Sequence, residues 1–296
     1  MITKKESFLM KQFRRFGMDS IAWSLRRLYC PVGKSDLVLE VGSGSNPYFR
    51  ANVLCDAYFE TQERFFAPLI YDRPTVIAPA ENLPFKNNAF DFVIASHVLE
   101  HSANPKKFLE EIQRVGKAGY IEVPDAFMER LTHYGFHRLE ITDIDDTLVI
   151  RKKKNHIQDK EVVDLFKHKA RPIFPKWAER YPFQFHVRYY WSKNTGGIKY
   201  NVINPEYEFD WDIPTFGKEE LKDKFRIKVF LKTKILLLIR KLFSQNKRNR
   251  QINVLDLMLC GKCKKSFFDL RLPSIICKNC SEKYFVYGLK KIEVLK

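Results

Sequence analysis

The stretch LVLEVGSGSNPY, residues 37–48, decides the fold of this chain. It begins as a short apolar segment with a single glutamate, Glu40, and continues into a loop that contains Gly42 and Gly44. Many α/β domains begin their ligand site in this way, because glycine lets the backbone approach a bound molecule closely. The kind of molecule depends on the residues around the two glycines.

The residues after Gly44 argue against two common glycine loops. A Walker loop needs a lysine and a serine or threonine directly after its last glycine, whereas SNPY follows here. A dinucleotide-binding loop needs a third glycine where Pro47 stands. What remains is a carboxylate, Glu40, beside two glycines. An acid repels phosphate and accepts a hydrogen bond from an ammonium group, so the pattern predicts a cationic ligand without phosphate.

Strand-like and helix-like segments alternate from this stretch onward. The strand-like segments read LVLEV, NVLCD, TVIA, FDFVIAS and GYIEV. A helix is predicted before the last of them, capped by Asn104 and starting at Pro105. Its apolar face comprises Phe108, Ile112 and Val115. The alternation predicts an α/β fold with a Rossmann-like parallel sheet and helices on both faces.

Other segments frame this core. Phe8–Cys30 has helical spacing and is divided by Gly17. Two hairpins are predicted further on, Arg138–Lys153 with its turn near Asp145, and His186–Ile203 with its turn at the sequence NTGG. Either hairpin can supply the last strands of the sheet.

The composition is that of a globular chain with a large basic excess. The 296 residues are 45% apolar, enough for a sizeable core, and the net charge is +17. Acidic residues concentrate between residues 35 and 150, whereas the flanking segments are basic. Such flanks favour an anionic partner or form a solvated surface. The longest apolar run, Ile235–Ile239, is too short to cross a bilayer and no signal-peptide core is seen, so a cytoplasmic protein is expected.

Three segments together resemble one family of enzymes. They are VLEVGSGSNP at residues 38–47, the acid Asp56 that ends NVLCD, and AENLPFKNNAFDFVIASHVLEH at residues 80–101. In these residues the chain resembles the class I S-adenosylmethionine (SAM)-dependent methyltransferases, and within them the type 11 group related to ubiquinone-biosynthesis methyltransferases. The resemblance covers about residues 35–124. It implies an enzyme that uses SAM, a ligand that matches the cationic molecule predicted above.

The resemblance also implies roles for individual residues. Gly42 and Gly44 pass under the methionine part of SAM, and Glu40 binds its ammonium group directly or through water. Asp56 accepts hydrogen bonds from both ribose hydroxyls. The predicted cofactor-binding set is Glu40, Gly42, Gly44, Asp56, Ala80, Glu81 and Ser96.

The chain departs from the family in two places. Pro79 stands where many relatives carry an aspartate, so adenine recognition is expected to use backbone amides, Glu81 or apolar contact, with Leu83 and Phe85 flanking the ring. In addition, only 11 residues lie between the last glycine of the loop and Asp56, so a helix in this interval is predicted to be very short.

Histidines are the candidates for acid–base chemistry. Methyl transfer to an acceptor that is already nucleophilic needs only positioning, whereas a hydroxyl acceptor needs a base. His97, His133 and His137 are the candidates, with His97 and His137 preferred, although each is more commonly a surface or core histidine. His101 is predicted to orient the loop or to cap the following helix.

Four cysteines near the C-terminus form two C-x-x-C pairs with 13 residues between them. They are Cys260, Cys263, Cys277 and Cys280. This spacing is typical of a closed tetrahedral zinc site that is structural, and disulfides are the alternative. Cys30 and Cys55 lie outside the pattern and are expected to be ordinary buried residues.

Residues 255–295 resemble the small zinc-ribbon activator subunit that partners eukaryotic tRNA, rRNA and release-factor methyltransferases, here fused to the enzyme that the first resemblance implies. A ribbon of about 40 residues cannot bury enough apolar surface alone, so zinc is expected to supply much of its folding energy. Its apolar strands are expected to dock on the edge of the methyltransferase sheet.

These features predict five segments along the chain. They are a basic helical segment at 1–34, the SAM-binding core at 35–150, a substrate-side aromatic region with a hairpin at 151–216, a basic connection at 217–250 and the zinc ribbon at 251–296. Within the connection, Thr233–Ser244 is the predicted helix. The connection is interpreted as contacting a membrane surface, RNA or the enzyme core, with Lys232, Lys234, Arg240 and Lys241 as the charges to test.

Three functions remain open. The first is methyl transfer to a small or lipid-linked anionic acceptor, for example a glycan precursor, by an enzyme at the inner membrane face. The second is methylation of tRNA or rRNA, because basic flanks with aromatic side chains can hold a single RNA strand. The third is a non-catalytic scaffold that binds a partner through its ribbon. The negative charge near the loops favours the first of these.

Overall fold

The computed structural model describes residues 6–155, 159–215, 238–240, 242–271 and 273–288. These residues belong to two compact units. The first unit is drawn from Met1–Pro31, Ala95–Leu109 and Ala118–Thr215. The second unit is drawn from Val32–Ile94, Glu110–Lys117 and Phe216–Lys296.

The described elements alternate as an α/β chain should. The helices are α1 Phe8–Arg15, α2 Asp19–Leu25, α3 Pro105–Val115, α4 Ala126–Thr132, α5 Lys160–Lys169, α6 Phe174–Arg180, α7 Asn246–Asn249 and α8 Val254–Leu257. The strands are β1 Val38–Val41, β2 Val53–Asp56, β3 Thr75–Ile77, β4 Phe90–Ser96, β5 Gly116–Pro124, β6 Leu139–Ile144, β7 Thr147–Lys152, β8 His186–Ser192, β9 Tyr200–Val202, β10 Phe268–Arg271, β11 Ser274–Cys277 and β12 Lys283–Tyr287. Short 3-10 helices occupy Arg26–Leu28, Gln62–Arg64, Ala80–Asn82, Leu99–His101 and Lys193–Thr195.

The second unit is built on a parallel core of strands. Its strand order is β10-β11-β12-β3-β2-β1-β4. Leu39 in β1 lies opposite Val53 in β2, and Leu54 lies opposite Thr75 in β3, both in parallel register. Every residue of β1 and β2 is buried, as expected for strands covered on both faces. The predicted α/β class is confirmed.

The C-terminal strands extend the sheet of the second unit. β12 pairs antiparallel with β3, with Val286 opposite Val76. The pairing continues outward through β11 and β10. A bridge between Phe85 and Met258 adds a further contact. The predicted docking of the ribbon on the sheet edge is confirmed, and it covers an edge that would otherwise expose unpaired backbone groups.

The interval between β1 and β2 corrects one prediction. No helix is found between the glycine loop and β2, because residues 42–52 form turns and irregular backbone. Eleven residues suffice for the return connection when the chain crosses through turns. Asn52 holds its end, since its side-chain oxygen accepts from Val38 N at 3.0 Å.

The first unit contains a strand pair and a separate three-stranded sheet. β5 pairs antiparallel with β8, with Tyr120 opposite Tyr190. The first predicted hairpin is confirmed, since β6 and β7 pair around a turn in which Asp145 and Asp146 have positive φ. The second predicted hairpin is wrong, because β9 pairs in parallel with β7 instead of with β8. Gly196, with φ of 92°, helps to turn the chain away after β8.

The predicted helix features are confirmed. Asn104 caps α3 by accepting from Lys107 N at 3.0 Å, and the predicted apolar face of α3 is buried. Gly17, with φ of 71°, separates α1 from α2. Most of the predicted helix at Thr233–Ser244 lies outside the described residues.

Candidate functional site

The glycine loop of the second unit needs its glycines for the path of the backbone. Gly42 and Gly44 have φ of 68° and 55°, a region that residues with a side chain rarely adopt. Gly42 N and Ser43 N both donate to Cys55 O, at 2.8 and 3.2 Å, which ties the loop to β2. A Cβ atom on Gly44 would have no neighbour nearer than 3.9 Å. The loop is therefore a fixed stretch of backbone with open space beside it.

Glu40 fixes the far end of the same loop. Its side chain is only 1% exposed, and Oε2 accepts from Tyr48 N at 2.7 Å. The carboxylate therefore helps to hold the loop in its conformation. Its role as a partner of an ammonium group stays a prediction.

Asp56, at the end of β2, faces the glycine loop. Oδ2 accepts from Gly44 N at 2.9 Å, and Oδ1 accepts from Tyr58 N at 3.0 Å. Arg64 Nη1 lies 3.3 Å from Oδ1. The structure thus brings Asp56 and Gly44 together. To bind the two hydroxyls of a ribose, the carboxylate would have to give up one of these donors. Arg64 is a neighbour of Asp56 that the sequence did not indicate.

The predicted adenine region begins where β3 ends. Ala78 N donates to Asp56 O at 2.9 Å, so this end lies beside the end of β2. Ala80 is buried and Glu81 is half-buried in the 3-10 helix that follows. Leu83 and Phe85, predicted to flank an adenine ring, are fully buried in the core of the second unit.

In the first unit, Ser96 ends β4 and His97 follows it. Ser96 Oγ donates to Glu122 Oε1 at 3.1 Å. His97 lies between two carboxylates, with Nδ1 3.5 Å from Glu100 Oε1 and Nε2 3.3 Å from Glu122 Oε1. Burial lowers the pKa of His97, but the two carboxylates outweigh it and raise the pKa to about 9. At neutral pH the imidazole is therefore protonated, which argues against the predicted role as a general base.

Glu122 is the residue that the sequence analysis missed. It is fully buried in β5, accepts from Arg26 Nε at 2.7 Å and Nη2 at 3.0 Å, and also accepts from the Tyr120 hydroxyl. Burial raises the pKa of Glu122, yet Arg26 and His97 hold it well below its usual range. The signal was present in the sequence, since a charged residue interrupts the apolar segment GYIEV. Arg26, which forms the ion pair with Glu122, belongs to the basic N-terminal segment.

His137, the second candidate base, lies in another buried cluster. Its Nδ1 is 2.6 Å from Glu129 Oε2, and Lys153 Nζ donates to Glu129 Oε1 at 2.9 Å. All three residues are buried. The ring of His101 lies edge-on to that of His137, with centroids 4.8 Å apart. The structure therefore brings His137 and His101 together, although they are distant in sequence.

The other histidines and cysteines named in the sequence analysis lie as follows. His133 ends α4 with φ of 51°, and its backbone N donates to Glu129 O. Burial lowers the pKa of His101 to about 4. Cys55 is buried as expected, whereas Cys30 is only half-buried.

The four C-terminal cysteines, Cys260, Cys263, Cys277 and Cys280, meet in one place, which we call the four-cysteine cluster. Their Sγ atoms all lie within 4.8 Å of one another, with the Cys260–Cys280 and Cys263–Cys277 pairs at 3.5 Å. Four thiolates about 2.3 Å from a tetrahedral zinc ion are about 3.8 Å apart, so the cluster fits zinc. No pair is at bonding distance for a disulfide, and all four are free.

The surroundings of Cys260 favour its thiolate form. Burial raises the pKa of Cys260, but backbone N–H groups and the Tyr284 hydroxyl outweigh it and lower the pKa to about 6. Gly261 N donates to that hydroxyl at 2.8 Å. Gly261 also lies close to the Asn82 side chain, since a Cβ here would come within 2.7 Å of Oδ1. The cluster is therefore packed against the loop that follows β3.

Comparison with known proteins bears on the glycine-loop region. Residues 39–121 match the sequence model of a family described as "methyltransferase domain". An uncharacterised protein of Methanocaldococcus jannaschii is 52% identical over 44 residues, which is 15% of this chain and 22% of that protein. The chain thus spans well under two thirds of that relative.

Three solved structures show remote likeness. A complex of the Haloferax volcanii Trm112 methyltransferase activator with a putative methyltransferase has a TM-score of 0.31 at 20% identity, covering 45% of this chain and 76% of that chain. A possible histamine N-methyltransferase of Thermotoga maritima has a TM-score of 0.26 at 19% identity, covering 38% and 60%. The YcgJ protein of Bacillus subtilis has a TM-score of 0.29 at 19% identity, covering 43% and 70%.

The family match includes the glycine loop, Asp56, the SHVLEH segment and most of β5. It confirms the resemblance that residues 38–47 and 80–101 indicated. Residues 39–121 of this chain therefore match a methyltransferase domain.

Proposed function

We propose that this chain transfers the methyl group of SAM to an anionic acceptor that carries a lipid chain, a lipid-linked glycan precursor being one example. The methyltransferase domain supports the reaction. An apolar groove in the first unit supports the acceptor class, and it is the observation that carries this part of the proposal.

The glycine loop and Asp56 are the proposed SAM-binding residues of the second unit. The loop offers rigid backbone with open space at Gly44, and Asp56 stands against the same glycine. Asp56 is buried, with 7% of the residue exposed, so a ribose would have to displace one of its present donors to reach the carboxylate. The other predicted residues, Glu40, Gly42, Ala80, Glu81 and Ser96, belong to the same proposal.

His97 is not assigned to the anion of the acceptor. Its side chain is 39% exposed, but Nδ1 and Nε2 already face the carboxylates of Glu100 and Glu122. A carboxylate or phosphate of the acceptor is therefore expected to bind at the basic side chains of the groove described below. Methyl transfer to such an oxygen anion needs alignment with the sulfonium and no base.

The groove has the shape and chemistry of a site for an acyl or polyprenyl chain. It has a volume of about 320 Å³ and is lined by side chains of α4, α5 and α6 and the segment before β8. Phe127, Leu165 and Trp177 line it and are each at least half exposed. A cluster of large apolar side chains at a surface indicates a binding site, because an apolar ligand that covers them removes their surface from water.

One basic residue, Lys169, lines the groove. Lys167 and His168 share the last turn of α5 with it, and Arg180 lies in the last turn of α6. An apolar surface with basic residues nearby matches a lipid that carries an anionic head. No described helix is long and apolar enough to cross a membrane.

The four-cysteine cluster belongs to the proposal as a structural zinc site. Its four sulfur atoms fill every position of a tetrahedral ion, so no position is left for a reactant. Zinc would hold β10, β11 and β12 in the form that pairs with β3.

One experiment separates the three functions. Purified protein and SAM labelled in its methyl group are incubated with a membrane lipid extract and, separately, with total RNA. We expect label in the organic phase, unaffected by ribonuclease. Label in RNA that ribonuclease removes would replace this proposal by RNA methylation, and absence of label in every fraction together with absence of SAM binding would favour the scaffold.

Two matched variants test the groove. Leu165→Asp places a charge in the groove, and Ile144→Asp places one on an equally exposed apolar residue of β6 away from it. Only Leu165→Asp should reduce lipid labelling and co-sedimentation with anionic liposomes. Equal loss in both variants would contradict a role for the groove.

The four basic residues that the sequence analysis gave for a membrane-binding test are not used in the liposome assay. Arg240 is 1% exposed and donates to Asn46 Oδ1 at 3.0 Å, so reversing its charge would disturb the glycine loop. Lys232, Lys234 and Lys241 lie outside the described residues. Lys169 and Arg180 replace them in the liposome assay.

A further inference from the structure

Three metal-ligating side chains converge in the first unit. The Glu100 carboxylate and the imidazoles of His101 and His137 offer ligand atoms that all lie within 4.8 Å of one another. Glu100 and His101 end the 3-10 helix that follows β4, whereas His137 precedes β6. Arg138 N donates to Glu100 O at 2.8 Å, which fixes the two chain segments against each other. The convergence is therefore built into the backbone.

Glu100 is a buried carboxylate with a single long contact to a cation. Its side chain is 3% exposed, and His97 Nδ1 lies 3.5 Å from Oε1. Within the described part of the chain no closer hydrogen-bond donor reaches either oxygen. A buried carboxylate with one long contact is poorly compensated for the loss of water, so a second cation beside it would stabilise it. A metal ion is one cation that the neighbouring imidazoles would also hold.

His137 is already oriented as a metal-binding imidazole. Its Nδ1 is engaged by Glu129 Oε2 at 2.6 Å, and Glu129 is in turn held by Lys153 Nζ at 2.9 Å. A carboxylate on one ring nitrogen fixes the tautomer and directs the lone pair of the other nitrogen outward, as in carboxylate–histidine–metal arrangements. The nitrogen left to face a ligand is Nε2.

We propose that Glu100, His101 and His137 bind one divalent transition-metal ion. Two imidazoles and one carboxylate suit zinc, manganese, iron or cobalt and leave coordination positions open. Ligand atoms about 2.1 Å from an ion can lie up to about 4.2 Å apart, so the side chains need to close by only a small amount. This site differs from the four-cysteine cluster, which is closed and made of sulfur.

The open positions would let the ion bind one further oxygen or nitrogen ligand, such as water, and would lower the pKa of a bound water.

Binding of Mn²⁺ to the purified full-length chain tests the site without measuring activity. Mn²⁺ prefers oxygen and imidazole ligands over thiolates, so it does not compete for the four-cysteine cluster. We expect one Mn²⁺ per chain by electron paramagnetic resonance titration. Glu100→Gln and His137→Gln should each lower the affinity more than tenfold, and Glu129→Gln should lower it about 10- to 100-fold through the orientation of His137.

His168→Gln is the matched control, because His168 is exposed on α5 and lies outside the cluster. Thermal melting in the absence of Mn²⁺ checks that each variant folds, and Glu100→Gln is the decisive variant because it removes a buried charge while keeping the shape. Mn²⁺ binding to folded Glu100→Gln as tight as to the wild type would overturn the proposal. So would the absence of Mn²⁺ binding to the wild type, in which case the protonated His97 alone balances Glu100. Neither result bears on whether the chain transfers methyl groups.

Discussion

The two units of the molecule hold their functional groups by different means. In the second unit, backbone hydrogen bonds and positive-φ glycines shape the loop around Gly42 and Gly44, and strand pairing attaches the ribbon. In the first unit, buried ion pairs hold the candidate side chains: Arg26 with Glu122 beside Ser96 and His97, and Lys153 with Glu129 beside His137. Backbone geometry is insensitive to pH, whereas buried ionisable groups are not. Changes in chain geometry should therefore affect the second unit most, and changes in charge the first.

Loss of the four-cysteine cluster should have the largest effect. Cys263→Ser removes one of four ligands, and binding of structural zinc contributes about 10 to 16 kcal/mol to the folding of small zinc domains. We expect zinc to be lost, β12 to separate from β3, and the ribbon to become sensitive to protease. Elemental analysis and limited proteolysis measure this, with Cys30→Ser as the control. Retention of zinc at one ion per chain would contradict the assignment of Cys263.

Removal of the Glu122 charge should cause the second-largest loss of stability. Glu122→Gln keeps the size of the side chain but leaves Arg26 without its carboxylate, and breaking a buried pair costs about 3 to 5 kcal/mol. The pKa of His97 should fall in the same variant, because Glu122 is one of the two groups that raise it. Chemical denaturation and NMR titration of His97 test both. A stable variant with unchanged His97 titration would show that this ion pair does not hold the end of β4.

Replacing a positive-φ glycine by alanine should lower the stability most where neighbouring atoms leave no space for the added Cβ. Gly288 has φ of 71°, and a Cβ there would lie 2.0 Å from Arg73 O beside β3. Gly288→Ala should therefore cost about 2 to 4 kcal/mol, through an unfavourable φ and a steric clash. Gly196 in the first unit has φ of 92°, but a Cβ at this position would meet no atom within 4 Å, so Gly196→Ala should cost only about 1 to 2 kcal/mol. Equal losses of stability for Gly288→Ala and Gly196→Ala in thermal denaturation would show that the contact with Arg73 O adds nothing.

The smallest effect concerns pH. The pKa of His97 is about 9 in the folded chain and near 6.5 when unfolded, so the folded state binds the proton more tightly. The resulting stabilisation is complete below about pH 6.5 and is lost as the pH rises through about 9. The free energy of unfolding should fall over this window in the wild type and less steeply in His97→Gln. Parallel pH curves for the two proteins would mean that His97 titrates alike in both states.

The sequence predicted the parts of the site whose residues are close neighbours along the chain. The glycine loop, Asp56, the capped helix α3 and the four-cysteine cluster each follow from short motifs with a local physical cause. The Glu122 pairs and the Glu100, His101 and His137 cluster do not, because they depend on tertiary contacts between distant segments. The second hairpin failed for the same reason. Alternation in β8 predicts a strand, but the choice of partner is made by the burial of Trp191 and Tyr189 against β5 and by the turn at Gly196.

The proposed methyl transfer depends on binding of SAM at the glycine loop. Isothermal titration calorimetry of the full-length protein with SAM, with its demethylated product and with NAD tests it most directly. We expect micromolar binding of SAM and of the product and no binding of NAD. Binding should be lost in Gly44→Val, which places a branched side chain at φ of 55° in the open space of the loop. Tight binding of NAD, or no binding of SAM by the folded wild-type protein, would contradict it.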